Sequence, residues 1–383
     1  MSVLLTLNAG SSSVKFAVYD DTATDCLVSG KVRRIFNDPL MQVKTKGTST
    51  ETPIQITDHR GAVHAIMDVL DVHLAGRPVC AVGHRVVHGG AKFSDPVVLT
   101  DDVRAMLAEF IPLAPGHQPH NLAGVSAAIE AFPNATHMAC FDTGFHRSHS
   151  RVHDMYGLPR KYYDQGVRRY GFHGLSYTYL TQTLAADFPD LAQGNVVYLH
   201  LGNGASGAAV SNSAPISTTM GFSPLDGLAM GTRPGQLDPG VLLYLMRSDG
   251  MDADTLESLL YKDSGLKGIS GMTNDMRTLL DSTTPEAAEA VAYFCVRASR
   301  EIVAMAADMG GLDAVVFSGG IGENAPRIRA QILSEMEWCG IHLNPAANGA
   351  GHTVITSGRV QGLVIPTNEE IVLARAAMAA ATE

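Results

Sequence analysis

Two stretches of this chain share one rhythm of apolar and polar positions. Residues 3–20, VLLTLNAGSSSVKFAVYD, run apolar, break at Asn8-Ala9-Gly10-Ser11-Ser12-Ser13, and turn apolar again around Lys15. Residues 196–210, VVYLHLGNGASGAAV, do the same around Gly202-Asn203-Gly204-Ala205-Ser206. Each pattern predicts two short strands joined by a tight polar turn. Aligned by letters, Gly10 falls on Gly204 and Ser12 on Ser206, about half a chain apart. The recurrence predicts an internal duplication with a ligand held between two halves.

Further elements follow from the same reading. A third strand is expected in LVSGKVRRI, and helices over 59–75 and after Thr100. Asn121 is placed to cap a helix that runs to Ala131 and stops before Pro133. THMACFDTGFH (136–146) reads as a buried strand ending in a polar loop, and a helix is expected near 176–187. Residues 211–240 are rich in glycine, proline and serine, yet their apolar spacing is that of an ordered segment. Thr284-Pro285-Glu286 starts a helix whose apolar period continues to Gly310-Gly311. LDAVVFSGGIGENAP then reads as strand, glycine loop and helix start, and LVIPTNEEIVLARAAMAA as strand and capped helix. Strands that alternate with helices in this order predict an α/β fold.

With 383 residues the chain is long enough for two domains with full cores. A net charge of −10 argues against nucleic acid as a partner. No apolar run approaches the length of a membrane span and no leader pattern is visible, so a cytoplasmic protein is expected. The five cysteines (26, 80, 140, 295, 339) lack metal-type spacing and read as buried packing thiols in a reducing compartment. His146, His149 and His153 lack the partners of a zinc site and are expected on a surface.

Charge changes the picture locally. Cations gather beside glycines in GHRVVHGG (83–90), LPRKYYDQGVRRYGFHG (158–174) and MGTRPG (230–235). In an acidic protein such clusters point to a small anionic ligand. The turn at Gly10, with three serines and Lys15, offers backbone N–H groups and hydroxyls to a phosphate. A strand rather than a helix follows it, which excludes a P-loop or a dinucleotide turn.

Nine motifs fall in order from end to end: NAGSSSVKF, GHRVVHGG, LAPGHQPHNL, FDTGFH, RRYGFHGLSY, HLGNGAS, MGFSPLDGLAMGTRPG, FSGGIGENA and PTNEEIVLAR. With them the chain resembles the acetate kinase family, short-chain carboxylate kinases of the actin, sugar-kinase and heat-shock ATPase superfamily. The resemblance implies a duplicated, actin-like (ribonuclease H-like) α/β fold with mixed five-stranded sheets and helices on both faces. It places one domain at 1–143 plus 370–383, to which the C-terminal helix returns. The second, at 144–369, would bind nucleotide and form the interface of a homodimer.

The activity implied is reversible transfer of the ATP γ-phosphoryl group to acetate, giving acetyl phosphate and ADP. A carboxylate is already ionised at neutral pH, so the difficulty is to bring two anions together and stabilise the moving charge. By resemblance Arg85 orients the carboxylate, Arg233 binds the transferring group, His173 stabilises the transition state, and His117 lies near the reacting groups. Asp142 is the family's active-site acid, acting either through a proton or through the metal. Asn8 and Glu369 match the magnesium ligands, with Mn²⁺ as an alternative metal. Ser11, Ser13 and Lys15 complete the first phosphate turn. Nucleotide contacts are implied for His200, Leu201, Gly202, Asn203 and Gly204, for Asp275, Met276 and Arg277, and for Gly320, Ile321, Gly322, Glu323 and Asn324.

An apolar acyl pocket is implied at Val87, Gly116, Phe172 and Pro224. At Gly116 the family generally has leucine, so a wider pocket and acceptance of propionate or butyrate are expected. Met276 replaces the family's usual aromatic residue, and Leu175, Tyr177, Pro234 and Gln236 also differ from the commoner residues. Two further readings remain: an actin-like ATP-binding switch, which would not need Arg85 and Arg233, and a pyrophosphate-dependent enzyme, which would not need the nucleotide segments.

Overall fold

The first turn is a true hairpin. In the computed structural model, which describes residues 2–74 and 76–381, β1 (Val3–Ala9) pairs antiparallel with β2 (Ser13–Asp20). Every residue of β1 is buried, because both faces of the strand are covered. Val3, Leu5, Leu7 and Ala9 point to one side and join a core with Ala62, Ile66, Leu70 and Leu74 of the helix His59–Leu74 and Ala128 of the helix Gln118–Ala131. Leu4 points to the other side and meets Ala374 and Ala377 of the last helix, Glu369–Ala381. The two-residue period of the strand thus assigns alternate side chains to helices on opposite faces.

Residues 1–147 and 368–383 form one compact unit. Its sheet holds β3 (Cys26–Arg33), β4 (Leu40–Thr45), β5 (Thr48–Pro53), β6 (Val79–Val86), β7 (Val97–Val98) and β8 (Thr136–Phe141) beside β1 and β2. The order is β5-β4-β3-β2-β1-β6-β8-β7, so this sheet has eight strands where five were expected. The five are present as β3-β2-β1-β6-β8. A second hairpin, β4–β5, extends one edge and the two-residue β7 the other. The last helix lies close on β6: a Cβ at Gly83 would come within 2.4 Å of the Leu373 carbonyl oxygen, so only glycine fits there.

Residues 148–367 form the second unit. Its strands are β9 (Asn195–Leu201), β10 (Ala205–Ser211), β11 (Ala214–Thr218), β12 (Ala314–Ser318) and β13 (Gln361–Val364), in the order β11-β10-β9-β12-β13. β10 is antiparallel to both β9 and β11, and β12 runs parallel to both β9 and β13. The same order and the same senses hold for β3-β2-β1-β6-β8. This topological match is the duplication expected from the repeated turns.

Strand register corrects the residue alignment. Asn8 pairs with Lys15, one step before the last pair of its hairpin, and His200 holds the same place opposite Ser206. Gly10 is therefore equivalent to Gly202, not Gly204, and Ser206 stands where Lys15 does. The first turn has one residue more than the second, which shifts a comparison by letters alone.

The long helix begins as predicted. Thr284 accepts a hydrogen bond from the Ala287 N–H, Pro285 occupies the first turn, and the helix Pro285–Met309 ends at Gly310 in left-handed geometry. Four other expectations need correction. The helix of 118–131 starts three residues before Asn121, at a cap position held by His117. The glycine loop of GGIGEN is itself a helix, Gly319–Asn324. Of the cysteines only Cys140 and Cys295 are buried, whereas Cys26 is exposed; all five are free. His146 and His149, expected on a surface, are buried as well. Among the described residues no helix is long and apolar enough to cross a membrane.

Candidate active site

Strands β1, β6 and β8 run side by side in the same sense, so their C-terminal ends share one edge of the first sheet. That edge is where open α/β sheets place ligands. It brings together Asn8, Arg85 and Asp142. Arg85 donates from Nε to Asp142 Oδ1 at 2.8 Å and from Nη2 to Oδ2 at 2.6 Å. Its remaining nitrogen, Nη1, donates to Asn8 Oδ1 at 3.2 Å. Asp142 is almost fully buried, and burial without this paired donor would strongly penalise its charge. For Arg85 burial opposes the charge, but Asp142 and Glu369 outweigh it and hold the guanidinium above its ordinary pKa.

Glu369 opens the last helix, whose start Asn368 caps by accepting from the Ile371 N–H at 3.2 Å. Burial raises the Glu369 pKa, Arg85 opposes that, and the neighbouring carboxylates of Asp142 and Glu370 reinforce it. Asn8, Asp142 and Glu369 thus gather oxygen donors beside the Arg85 guanidinium. Such a set suits Mg²⁺, which takes one or two carboxylates and fills its other positions with water and phosphate oxygens. Among the described residues no group of three or more His, Cys, Asp or Glu forms a metal cage. The donors therefore fit a sparsely held hard cation.

The first phosphate turn is braced from below. The Gly10 N–H donates to the Ser13 carbonyl at 2.7 Å, and the Ile35 N–H donates to the Ser12 carbonyl at 3.1 Å. His59 Nε2 lies 2.6 Å from the Gly10 carbonyl, and its ring stacks on His120. Ser11 and Lys15 stay exposed, and Ser13 opens β2. Asn121, read from sequence as a cap, is a buried clamp: it donates to the Ala9 carbonyl and accepts from the Val87 N–H at 2.8 Å. It ties the end of β1 to the end of β6. No sequence signal marks either His59 or Asn121 for these tasks, since each acts across a long stretch of chain.

His117 is exposed at the start of its helix, and Gly116 beside it is exposed with no atom within 4 Å of where a Cβ would stand. Val87 is buried in this same unit. The other two acyl-pocket candidates belong to the second unit: Phe172 is buried, and the Pro224 carbonyl accepts from Arg233 Nη1 at 2.7 Å.

In the second unit the turn after β9 meets His173 and Arg233. A Cβ added to Gly204 would lie 2.6 Å from Arg233 Nη2 and 3.4 Å from His173 Nε2. Three residues from three segments converge there. Arg233 forms no salt bridge among the described residues, and burial lowers its pKa without removing its charge. A half-buried guanidinium with no carboxylate partner is an anion site in waiting. His173 takes left-handed geometry, φ 59 and ψ 24, a strained conformation for a non-glycine residue. Its Nδ1 lies 2.8 Å from Ser206 Oγ, and its ring stacks on His200 with centroids 4.4 Å apart. His200 in turn meets Ser176 Oγ through Nδ1 at 2.9 Å.

A cavity of about 460 Å³ in the second unit gathers most of the predicted nucleotide residues. Gly202 and Asn203, Asp275, Met276 and Arg277, and Gly320, Ile321 and Asn324 all line it. Asn274 and Ala325 do too, and sequence reasoning missed both. Asn274 Nδ2 donates to Asn203 Oδ1 at 2.8 Å and so joins two of the three segments. Leu201, Gly322 and Glu323 lie outside the cavity wall. Leu201 is fully buried, and Glu323 Oε1 instead accepts from the backbone N–H groups of Gly319 at 2.9 Å and Thr367 at 3.1 Å.

Comparison with known proteins shows the family. The profile of the Acetokinase family matches residues 3–375. The acetate kinase of Methylocella silvestris is 45% identical over 392 residues, covering 98% of this chain and 97% of that one. The acetate kinase of Rhizobium meliloti is 45% identical, with 99% and 98% covered. Among solved structures, acetate kinase from Porphyromonas gingivalis superposes with a TM-score of 0.91 at 36% identity, covering 99% of both chains. A propionate kinase from Francisella tularensis gives 0.93 at 34% identity, with 98% and 99% covered. Family match, end-to-end relatives and fold coincide: the chain belongs to the acetokinase family and is an enzyme of the acetate kinase type.

Proposed function

We propose that the chain transfers the γ-phosphoryl group of ATP to acetate, using the residues assigned above. A carboxylate oxygen attacks the γ-phosphorus, the bond to the β,γ-bridging oxygen breaks, and ADP leaves with the electron pair. No proton has to move, so the protein's task is positioning and neutralisation. Arg233 is placed to take the equatorial oxygens of the transferring group, with His173 Nε2 as a second donor. Arg85 orients the incoming carboxylate, and Asp142 keeps its planar fork in one orientation. The carrying observation is the convergence of Arg233 and His173 on Gly204, with no carboxylate neutralising the arginine.

The 460 Å³ cavity is the place for the nucleoside, with Met276 as a flexible apolar wall. Asn8 and Glu369 would hold Mg²⁺, or Mn²⁺ in its place. When bound, the cation neutralises phosphate charge. Asp142, already fully engaged by Arg85, supports a role in orientation more than in proton transfer.

A homodimer is the proposed assembly. Leu237, Val241, Leu243, Tyr244 and Met246, on or next to the helix Pro239–Ser248, and Tyr293 expose large apolar side chains on the second unit. Gly116 favours a second reading of substrate range, because open space surrounds its missing side chain and longer acids than acetate become acceptable. Trapping the acyl phosphate with hydroxylamine tests both readings. Acetate, propionate and butyrate should each give hydroxamate only with ATP and a divalent cation. ATP hydrolysis unaffected by any carboxylate would refute the assignment.

A further inference from the structure

The catalytic histidine of the second unit is backed by a buried chain of hydroxyls that the phosphoryl-transfer chemistry does not itself require. Tyr177 lies on the helix Gly174–Asp187, and its hydroxyl is 2.5 Å from Ser206 Oγ. Ser206, on β10, is 2.8 Å from His173 Nδ1. Tyr177 and Ser206 are both fully buried. Tyr177 is also one of the positions where this sequence departs from the commoner residues of its family, so the arrangement is a property of this chain.

We propose that Tyr177 and Ser206 act as positioning residues that hold His173 as the neutral tautomer with its proton on Nε2. The direction of the chain follows from acidity: a phenol is a stronger acid than an alcohol, so the Tyr177 O–H donates to Ser206 Oγ. The single Ser206 proton then goes to His173 Nδ1, which must accept it and be bare. The ring proton is left on Nε2, the nitrogen that lies 3.4 Å from the Gly204 Cβ position beside Arg233 Nη2. His173 therefore offers a hydrogen-bond donor, not an acceptor, to an anion at the Gly204 turn.

The same chain resists the imidazolium. Protonating Nδ1 would force Ser206 to accept from both sides and strand its own proton in the core. Among the described residues the stacked His200 and the guanidinium of Arg233 face the ring, and a charge on the ring would sit beside the Arg233 cation. The left-handed backbone at His173 is retained because it aims the ring along this line.

This proposal rests on the assignment of His173 to phosphoryl transfer, but its test does not depend on turnover. Nitrogen-15 NMR of histidine-labelled wild-type protein, with His173→Asn for assignment, should show His173 protonated on Nε2 and bare on Nδ1 across neutral pH. A proton on Nδ1 would overturn the proposal whatever the activity. In Ser206→Ala no hydroxyl donates to Nδ1, so the Nδ1–H form and the imidazolium should both gain. The same variant should lose about ten- to a hundredfold in kcat, with KM for ATP and acetate within about twofold. Tyr177→Phe removes the donor that polarises the Ser206 hydroxyl, so the same changes should follow to a smaller degree. Wild-type tautomer signals and wild-type kcat in either folded variant would show that the hydroxyl chain only fills space.

Discussion

Arg85 and Asp142 meet side-on, two nitrogens to two oxygens, at 2.8 and 2.6 Å, and the third nitrogen of the same guanidinium reaches Asn8. All three contacts depend on a planar fork. Arg85→Lys keeps the charge and loses the fork. Steady-state kinetics should show kcat/KM for acetate falling by about 100-fold, with a fall of only a few degrees in Tm. Near-normal turnover in the lysine variant would mean that charge alone suffices.

Asn121 satisfies two buried backbone groups at once, the Ala9 carbonyl and the Val87 N–H. Asn121→Ala leaves both without a partner, at a cost of about 2–4 kcal/mol. Urea unfolding followed by fluorescence or circular dichroism should register the loss as a lower midpoint with an unchanged slope. Asn121→Asp keeps the acceptor and should fall between. An alanine variant as stable as the parent would remove the clamp from the account.

Gly204 has no strained backbone, yet a single methyl there would press on Arg233 Nη2 at 2.6 Å. Gly204→Ala should therefore displace the guanidinium rather than unfold the unit. A fall of about tenfold or more in kcat, with Tm within a few degrees of wild type, is expected. Calorimetry beside initial-rate measurements separates the two effects.

Gly116→Leu adds a side chain to open space, so folding should be unaffected. Relative kcat/KM for butyrate against acetate should drop, by up to about 3 kcal/mol in discrimination per methylene. An unchanged ratio would show that Gly116 does not border the acyl group.

Stability should fall on acidification. Burial, helped by the neighbouring His137, depresses the His84 pKa to about 3, and burial beside Arg147 does the same for His88. In the unfolded chain each titrates near 6.5, so between pH 6.5 and 3 the unfolded state binds more protons. The neutral-ring stabilisation is fully present above pH 6.5 and is lost as pH falls below it. At pH 5.5 the two together should cost about 2–3 kcal/mol relative to pH 7.5, read from denaturation midpoints. His84→Gln should flatten part of that slope.

Features that depend on neighbours along the chain were legible in the residues alone. The hairpin at Gly10 announced itself because a strand, not a helix, follows a polar turn, and Thr284-Pro285 because a cap and a proline serve the first turn of their own helix. The three segments assigned to nucleotide came from motif resemblance, and one cavity collects most of their residues. Asn121 shows the opposite case. Its type and position fit a cap, but its partners are more than thirty residues away, and only the packing of its helix on β1 and β6 makes it a clamp. His59 and Asn274 escaped for the same reason.

The sequence by itself determined the polar turns between strands and the cation clusters that point to an anionic ligand, because local patterns encode turns and residue types encode charge; phosphoryl transfer to a carboxylate came from the resemblance that its ordered motifs carry. Only the tertiary structure decided which atoms face which. Strand register matched Ser206 with Lys15 and not with Ser12, the sheet edge joined Arg85 to Asp142, and the second unit turned His173 Nε2 toward Gly204. Register, edge and orientation arise from contacts between distant segments, and a linear pattern carries no term for them.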